Sequence, residues 1–449
     1  MKIFFVSLGC DKNLVDSEKM LGILSGKGYE FTDDEADADI IIINTCCFIG
    51  DAKEESISEI IRLGELKKSG KLKVLIAGGC LAQRYADEIF GDLPELDAVI
   101  GTMSIGKIAE VLDEVLSNKS QGLEDAKVKE LTPLDAKPFS DTHRSLTTGG
   151  HYAYLKIAEG CDKRCTYCII PYVRGSYRSI PMEDLVEEAT ELAKGGVKEL
   201  ILVAQETTLY GKDIYGHKAL PELLRKLCAI EDIKWIRLLY AYPEEITDEI
   251  IDVIADEPKI CKYLDLPIQH CSDDVLRRMG RRTTKKSIED LIAKLRERIP
   301  GMCLRTSLIS GFPGETQGDF EELYRFVNET EFDRLGVFTY SREEGTPAAE
   351  MEDQIDEEIA ASRRDEIMEL QQAVSFDLNE SHVGEELEVL IEGYLPEEHV
   401  YVGRTYRDAP GVDGLFFVNF EGELMTGDIV RARVTEALGY DLSGVMINE

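Results

Sequence analysis

Six times after Gly150 a short apolar run reads as a buried strand, and the first five of these runs each lead into a helical stretch. The runs are Tyr152 to Ala158, Glu199 to Ala204, Trp235 to Tyr240, Tyr263 to Ile268, Cys303 to Ile309 and Leu335 to Tyr340. Amphipathic segments such as Met182 to Lys194, Leu220 to Ala229, Ser287 to Arg298 and Thr316 to Asn328 supply the crossovers. Consecutive β-α units pair in parallel with right-handed connections, which curves a sheet toward a barrel. Eight units close such a barrel, so six predict a partial (β/α)6 barrel.

The regions on either side read differently. Lys2 to Ser7, Asp39 to Asn44, Lys73 to Ala77 and Asp97 to Ile100 read as parallel strands, with helices over Asp16 to Gly26, Asp51 to Lys68 and Ile105 to Leu116. In the second of these helices Ile57, Ile60, Ile61 and Leu63 recur at helical spacing. This predicts an N-terminal open α/β sandwich. After a charged helix over Asp353 to Ser381 the pattern turns to period two. Glu388 to Ile391, Tyr401 to Tyr406, Leu415 to Phe420, Ile429 to Thr435 and Ser443 to Ile447 read as five antiparallel strands of a small OB-like β-barrel. The chain is α/β overall, with expected domains at 1–117, 146–372 and 373–449 and a linker over 118–145 that has room for short strands.

No apolar run reaches the roughly 18 to 20 residues of a membrane span, and MKIFFVSLG is too short for a signal-peptide core, so a cytoplasmic protein is expected. In a reducing compartment eleven cysteines do not form a disulfide framework, and clustered ones read as metal ligands. Fifty-one basic against 87 acidic residues give a formal charge of −36, which repels polyanions and attracts basic partners.

Cys161, Cys165 and Cys168 form C-x3-C-x2-C directly after the first strand of the six, where a barrel carries its catalytic loops. Three thiolates so placed can hold a cubane iron–sulfur cluster and leave its fourth iron open to an exogenous ligand. A structural zinc site is the alternative, but zinc usually takes four ligands and no fourth Cys or His is near in sequence. Cys10, Cys46 and Cys80 are far apart in sequence, yet each trails a predicted parallel strand. Loops after the carboxyl ends of such strands gather on one edge, so the three can converge on a second cluster. Buried packing is the alternative for any one of them. Gly9, Gly78 and Gly79 let the backbone turn and approach closely there. Cys47 competes with Cys46. Cys228, Cys261, Cys271 and Cys303 are assigned to packing, and His270 and the other histidines receive no catalytic role.

The motif AEGCDKRCTYC resembles the radical S-adenosylmethionine superfamily. With the three-cysteine N-terminal domain and a terminal domain similar to TRAM, the whole chain resembles the methylthiotransferases of that superfamily. SLGCDKNLVDSE, AEGCDKRCTYCIIPYVRGSYRS, YLDLPIQHCSDDVLRRMGR and GRTYRDAPGVDG resemble the branch that modifies ribosomal protein S12. Asp11 replaces the proline usual after the first cysteine in that branch. The resemblance implies two [4Fe–4S] clusters, a radical-generating one on Cys161, Cys165 and Cys168 and a sulfur-presenting one on Cys10, Cys46 and Cys80. It also implies S-adenosylmethionine as cofactor and methylthio transfer to the β-carbon of an aspartate. No side chain is assigned as acid or base.

Further cofactor contacts are expected from Tyr167 beside the last cysteine, and from Gln205, Gln269 and Arg305 on barrel strands or their ends. Gly311 and Glu315, in a glycine-containing segment resembling the one near adenine and ribose, are also candidates. The alternatives are core packing, satisfied core polar groups and an ordinary strand-to-helix turn. The region from Val383 to Glu449 holds fourteen acidic residues, four arginines and no lysine, a net of ten negative charges. Nucleic-acid affinity rests on Lys and Arg displacing counterions, so a basic ribosomal protein is the expected partner and tRNA is disfavoured. The rivals are tRNA adenosine methylthiolation and a non-catalytic iron–sulfur electron carrier.

Overall fold

The computed structural model describes residues 1–123, 126–141 and 143–447. The chain divides into two compact units. One contains Met1–Thr147, Lys156–Glu188 and Ser341–Ala349; the other contains Thr148–Leu155, Ala189–Tyr340 and Glu350–Glu449. The first unit thus holds both cysteine trios.

Its sheet has six parallel strands in the order Glu30–Phe31, Lys2–Ser7, Ile40–Thr45, Val74–Gly78, Ala98–Ile100, Val128–Glu130. The last strand lies in the segment expected as linker. Successive side chains of a strand point to opposite faces. Accordingly Ile41, Ile43, Leu75 and Ala77 enter one core while Ile40, Ile42, Val74 and Ile76 enter the other. With both faces covered, the central strands read as unbroken apolar runs. The first helix spans Asp11–Gly26, five residues longer at its start than expected, because Cys10 takes the N-cap position and the first turn is polar.

The second unit is built on six strands ordered Arg334–Thr339, Cys303–Ser310, Ile260–Asp265, Trp235–Leu238, Glu199–Val203, Tyr152–Lys156, an open sheet as six β-α units require. The strand Ile260–Asp265 ends three residues before the predicted run does. Pro267 has no N–H for the ladder, and the buried Leu266 and Ile268 continue as loop. Helix Glu357–Ser381 leads to a closed barrel ordered Glu386–Leu395, Val400–Arg404, Phe416–Asn419, Asp441–Met446, Ile429–Leu438. The expectation of five antiparallel strands needs one correction: Phe416–Asn419 pairs with Asp441–Met446 in parallel. Directions cannot alternate around a ring with an odd number of members, so one parallel pair is required for closure. Among the described residues no helix is long and apolar enough to cross a membrane.

Candidate metal centre

Cys10, Cys46 and Cys80 each follow the carboxyl end of a neighbouring parallel strand. Gly9 has a left-handed φ of +90°, and a Cβ there would lie 2.7 Å from Cys46 Cβ and 3.0 Å from Cys46 Sγ, so the Cys10 loop lies against Cys46. Gly79, at φ +87°, passes so close to Asn44 and Thr45 that a Cβ would meet them at 2.4 and 2.5 Å, which brings Cys80 alongside. Ser56 fixes the Cys46 backbone, its hydroxyl accepting from the Cys46 N–H at 3.0 Å and donating to the Cys46 carbonyl at 2.9 Å. Burial raises the Cys46 thiol to about 12, with the thiols of Cys80 and Cys10 adding to the rise. Burial also raises Cys80, against the guanidinium of Arg174. Crowded thiols that resist ionisation alone suit a cationic centre that binds them as thiolates.

Cys161, Cys165 and Cys168 lie on the loop after Ala158–Glu159. Gly160 is left-handed at φ +78°, and a Cβ on it would meet the Ser176 carbonyl oxygen at 2.1 Å. The Cys161 N–H donates to the Gly175 carbonyl at 3.1 Å, and Asp162 Oδ1 accepts from the Tyr177 N–H at 3.2 Å. Arg164, between the first two cysteines, is also left-handed at φ 53°. The loop is therefore folded back on itself, with Cys161 and Cys165 buried and Cys168 and Tyr167 half-buried. Downstream of it Ile169 and Val173 pack into the same core as Leu81 and Ala82, beside Cys80. Among the described residues no three Cys, His, Asp or Glu side chains stand at single-ion spacing. A cubane takes each thiolate on a different iron, and three soft thiol donors in each set are the donor chemistry it needs.

A buried charged network joins the two cysteine-bearing segments. Arg174 Nη1 donates to Asp16 at 2.7 Å and to Glu159 at 3.2 Å, and Lys156 Nζ donates to both carboxylates, at 2.8 Å for Glu159. Burial alone would lower Lys156 and raise Glu159; the opposite charges outweigh it, raising Lys156 and bringing Glu159 down to about 2. Close by, Lys19 and Arg144 pair with Glu188 at 3.2 and 2.8 Å. Sequence patterning missed Asn13, Asp16, Lys156 and Arg174. The available signal was a lysine interrupting the apolar run YAYLKIAEG.

The barrel candidates are placed as follows. Gln205 and Gln269 are half-buried beyond the carboxyl ends of Glu199–Val203 and Ile260–Asp265, Gln269 in a left-handed conformation at φ 71°. Arg305 pairs with Asp265 at 2.8 Å and Asp413 at 3.5 Å. Gly311 is left-handed at φ +71°, and a Cβ there would stand 2.3 Å from that of Ala360 on the long helix. Glu315 accepts from the Gly311 N–H at 2.8 Å and pairs with Arg363 at 2.8 Å. His270 is buried and pushed down to about 4 by that burial, its Nδ1 accepting from the Ser272 N–H.

Of the four arginines in the terminal barrel, Arg404 and Arg407 are buried in ion pairs with Glu199 and Asp333. The exposed two, Arg431 and Arg433, both pair with Glu386, at 2.7 and 2.8 Å. They do not form an unopposed basic face.

The Radical SAM superfamily model matches residues 155–327, the Uncharacterized protein family UPF0004 model residues 2–101, and the TRAM domain model residues 383–447. The chain is 59% identical to the ribosomal protein uS12 methylthiotransferase RimO of Lachnoclostridium phytofermentans, covering 99% of both chains. It is 52% identical to the protein of the same name from a Thermoanaerobacter species, covering 98% of both. Among solved structures it is similar in fold to the radical S-adenosylmethionine methyltransferase TsrM of Kitasatospora setae, with a TM-score of 0.53 and 16% identity over 75% of this chain and 72% of that one. Full-length identity at this level, with all three family models in order along the chain, places the protein in the RimO family of ribosomal protein uS12 methylthiotransferases.

Proposed function

We propose that the chain attaches a methylthio group to the β-carbon of an aspartate in ribosomal protein uS12, in the cytoplasm, using S-adenosylmethionine and two [4Fe–4S] clusters. The observation that carries this reading is identity to RimO relatives over essentially the whole chain. When bound, the two clusters supply one-electron cleavage of S-adenosylmethionine and the sulfur that is methylated and transferred.

This chain's residues would hold those groups. Cys161, Cys165 and Cys168 hold the radical-generating cluster on a loop already braced by Asp162 and by the close approach of Gly160 to Ser176. Cys10, Cys46 and Cys80 hold the sulfur-presenting one, at the strand ends where Gly9 and Gly79 allow close packing. Tyr167, Gln205 and Gln269 are assigned to the cofactor. Arg305, Gly311 and Glu315 are assigned to the cofactor as well, held in place by Asp265, Ala360 and Arg363. An acidic terminal barrel whose arginines are all paired suits a basic protein and gives tRNA phosphates little to bind.

Protein reconstituted anaerobically with iron and sulfide, then supplied with reductant, S-adenosylmethionine and a sulfur source, is expected to add the mass of a methylthio group to a uS12 peptide. An unchanged peptide alongside modified tRNA would overturn the reading. Failure to release 5′-deoxyadenosine would point to an electron carrier instead.

A further inference from the structure

Arg174 lies just downstream of Cys168 in sequence, yet its guanidinium reaches the other trio. Its Nη2 donates to Asn13 Oδ1, the same oxygen that accepts from Cys80 Sγ at 3.9 Å. Asn13 is held in place, because its Nδ2 donates to the carbonyls of Leu8 and Thr45, both at 3.0 Å. Those two carbonyls belong to the turns that carry Cys10 and Cys46. A Cβ on Gly9 would lie 3.2 Å from the same amide nitrogen. The Asn13 amide therefore touches the turns of two of the cysteines and the thiol of the third, with Arg174 behind it.

Charge balance accounts for Arg174 as the second cation against Asp16 and Glu159, but not for the reach of its Nη2 to Asn13. Lys156 already contacts both Asp16 and Glu159, and the two cations and two carboxylates cancel. Arg178 adds a further cation toward Glu159, its Nη2 donating to the Arg174 carbonyl at 2.7 Å. A second cation serving only Asp16 and Glu159 would not need to extend to Asn13. The planar fork of arginine does what a lysine cannot, binding carboxylates with one edge and the amide with another.

We propose that Arg174 is a positioning residue for the group held by Cys10, Cys46 and Cys80, setting a fixed positive charge behind Cys80 through Asn13 and thereby raising the reduction potential of an iron–sulfur cluster there. The inference rests on the reading that those three cysteines are cluster ligands. Reduction adds one electron, and so one negative charge, to the cluster. A nearby cation sealed from water at 1% exposure stabilises the reduced form more than the oxidised one. Partners one shell beyond the ligands commonly tune a metal site in this way.

The test uses the full chain with Cys161, Cys165 and Cys168 replaced by alanine, so that only one cluster is loaded. It is reconstituted with iron and sulfide and titrated with dithionite, which supplies the electron, under electron paramagnetic resonance. In this background Arg174→Lys, which keeps the charge but not the fork to Asn13, is expected to move the potential less than a neutral replacement does. Arg174→Met combined with Asp16→Asn removes one cation and one anion together. It is expected to lower the ratio of reduced to oxidised cluster at fixed potential about tenfold, a shift of about 59 mV for a one-electron couple. Should that double variant fail to fold, Arg174→Gln, uncharged but still a donor, is expected to shift the potential the same way. Equal potentials at equal iron content in the variants would overturn the role of Arg174. A background that takes up no iron would instead overturn the ligand assignment, and the inference with it.

Discussion

Arg404 Nη2 meets Glu199 Oε2 at 2.7 Å with both side chains sealed from solvent. Glu199 opens a strand of the parallel sheet and Arg404 closes a strand of the small barrel, so the pair joins two architectures within the second unit. Arg237 takes the other carboxylate oxygen at 2.7 Å, and Arg404 Nε reaches Glu392 at 2.8 Å. One carboxylate is thus shared by two buried guanidinium groups, with Glu392 a second partner for Arg404.

Removing it should be costly. Glu199→Ala leaves Arg237 and Arg404 buried without that partner, and about 3 to 5 kcal/mol of stability should be lost. Urea denaturation followed by circular dichroism checks this, and a loss below about 1 kcal/mol would show that the arginines find other partners.

Acid should weaken the first unit through Glu159. Burial pushes this carboxyl up, but Arg174 and Lys156 more than offset it and hold it at about 2. A depressed carboxyl contributes stability that is fully present above its unfolded value, about 4.3, and is lost as pH falls through the folded value. The parent protein should therefore lose stability between about pH 4.5 and pH 2 more steeply than Glu159→Gln, which is weaker at neutral pH but flatter across that window. Parallel slopes for the two proteins would remove Glu159 from the account.

The two trios should fail differently. Alanine at Cys161, Cys165 and Cys168 should abolish formation of 5′-deoxyadenosine. Alanine at Cys10, Cys46 and Cys80 should spare that cleavage and stop methylthio transfer. Chromatography of the nucleoside and mass spectrometry of the uS12 peptide report the two steps separately, and loss of both in both variants would undo the division of labour.

Two glycines should respond in opposite senses. Gly311→Ala forces a Cβ into Ala360 from a left-handed backbone and should cost more than about 1 kcal/mol. Gly26→Ala, at the end of helix Asp11–Gly26 with open space around it, should be neutral or stabilising by up to about 1 kcal/mol. Thermal melts of the two variants make the comparison.

Some elements were legible because their chemistry is local. The strand Lys2–Ser7 and the helix Met182–Lys194 coincide with the predicted segments, since an apolar run or an amphipathic period is written in consecutive residues. The positions of the six cysteines after strands were equally legible. The convergence of Cys10, Cys46 and Cys80 could be argued from topology, because parallel strands deliver their following loops to one edge.

What periodicity could not reveal was polar burial. Patterning assigns charge to the solvent side, yet helix Asp11–Gly26 buries Lys12, Asn13, Asp16, Glu18 and Lys19. Those groups are tolerable inside only because partners distant in the chain neutralise or hydrogen-bond them, among them Arg144, Lys156, Arg174 and Glu188. By itself the sequence determined the order of elements, the two sets of thiols and the acidic character of the chain. Only the tertiary structure decided which charges would be enclosed and that Arg174 and Cys80 would share one oxygen of Asn13, because a buried ion pair is a relation between segments that no local pattern encodes.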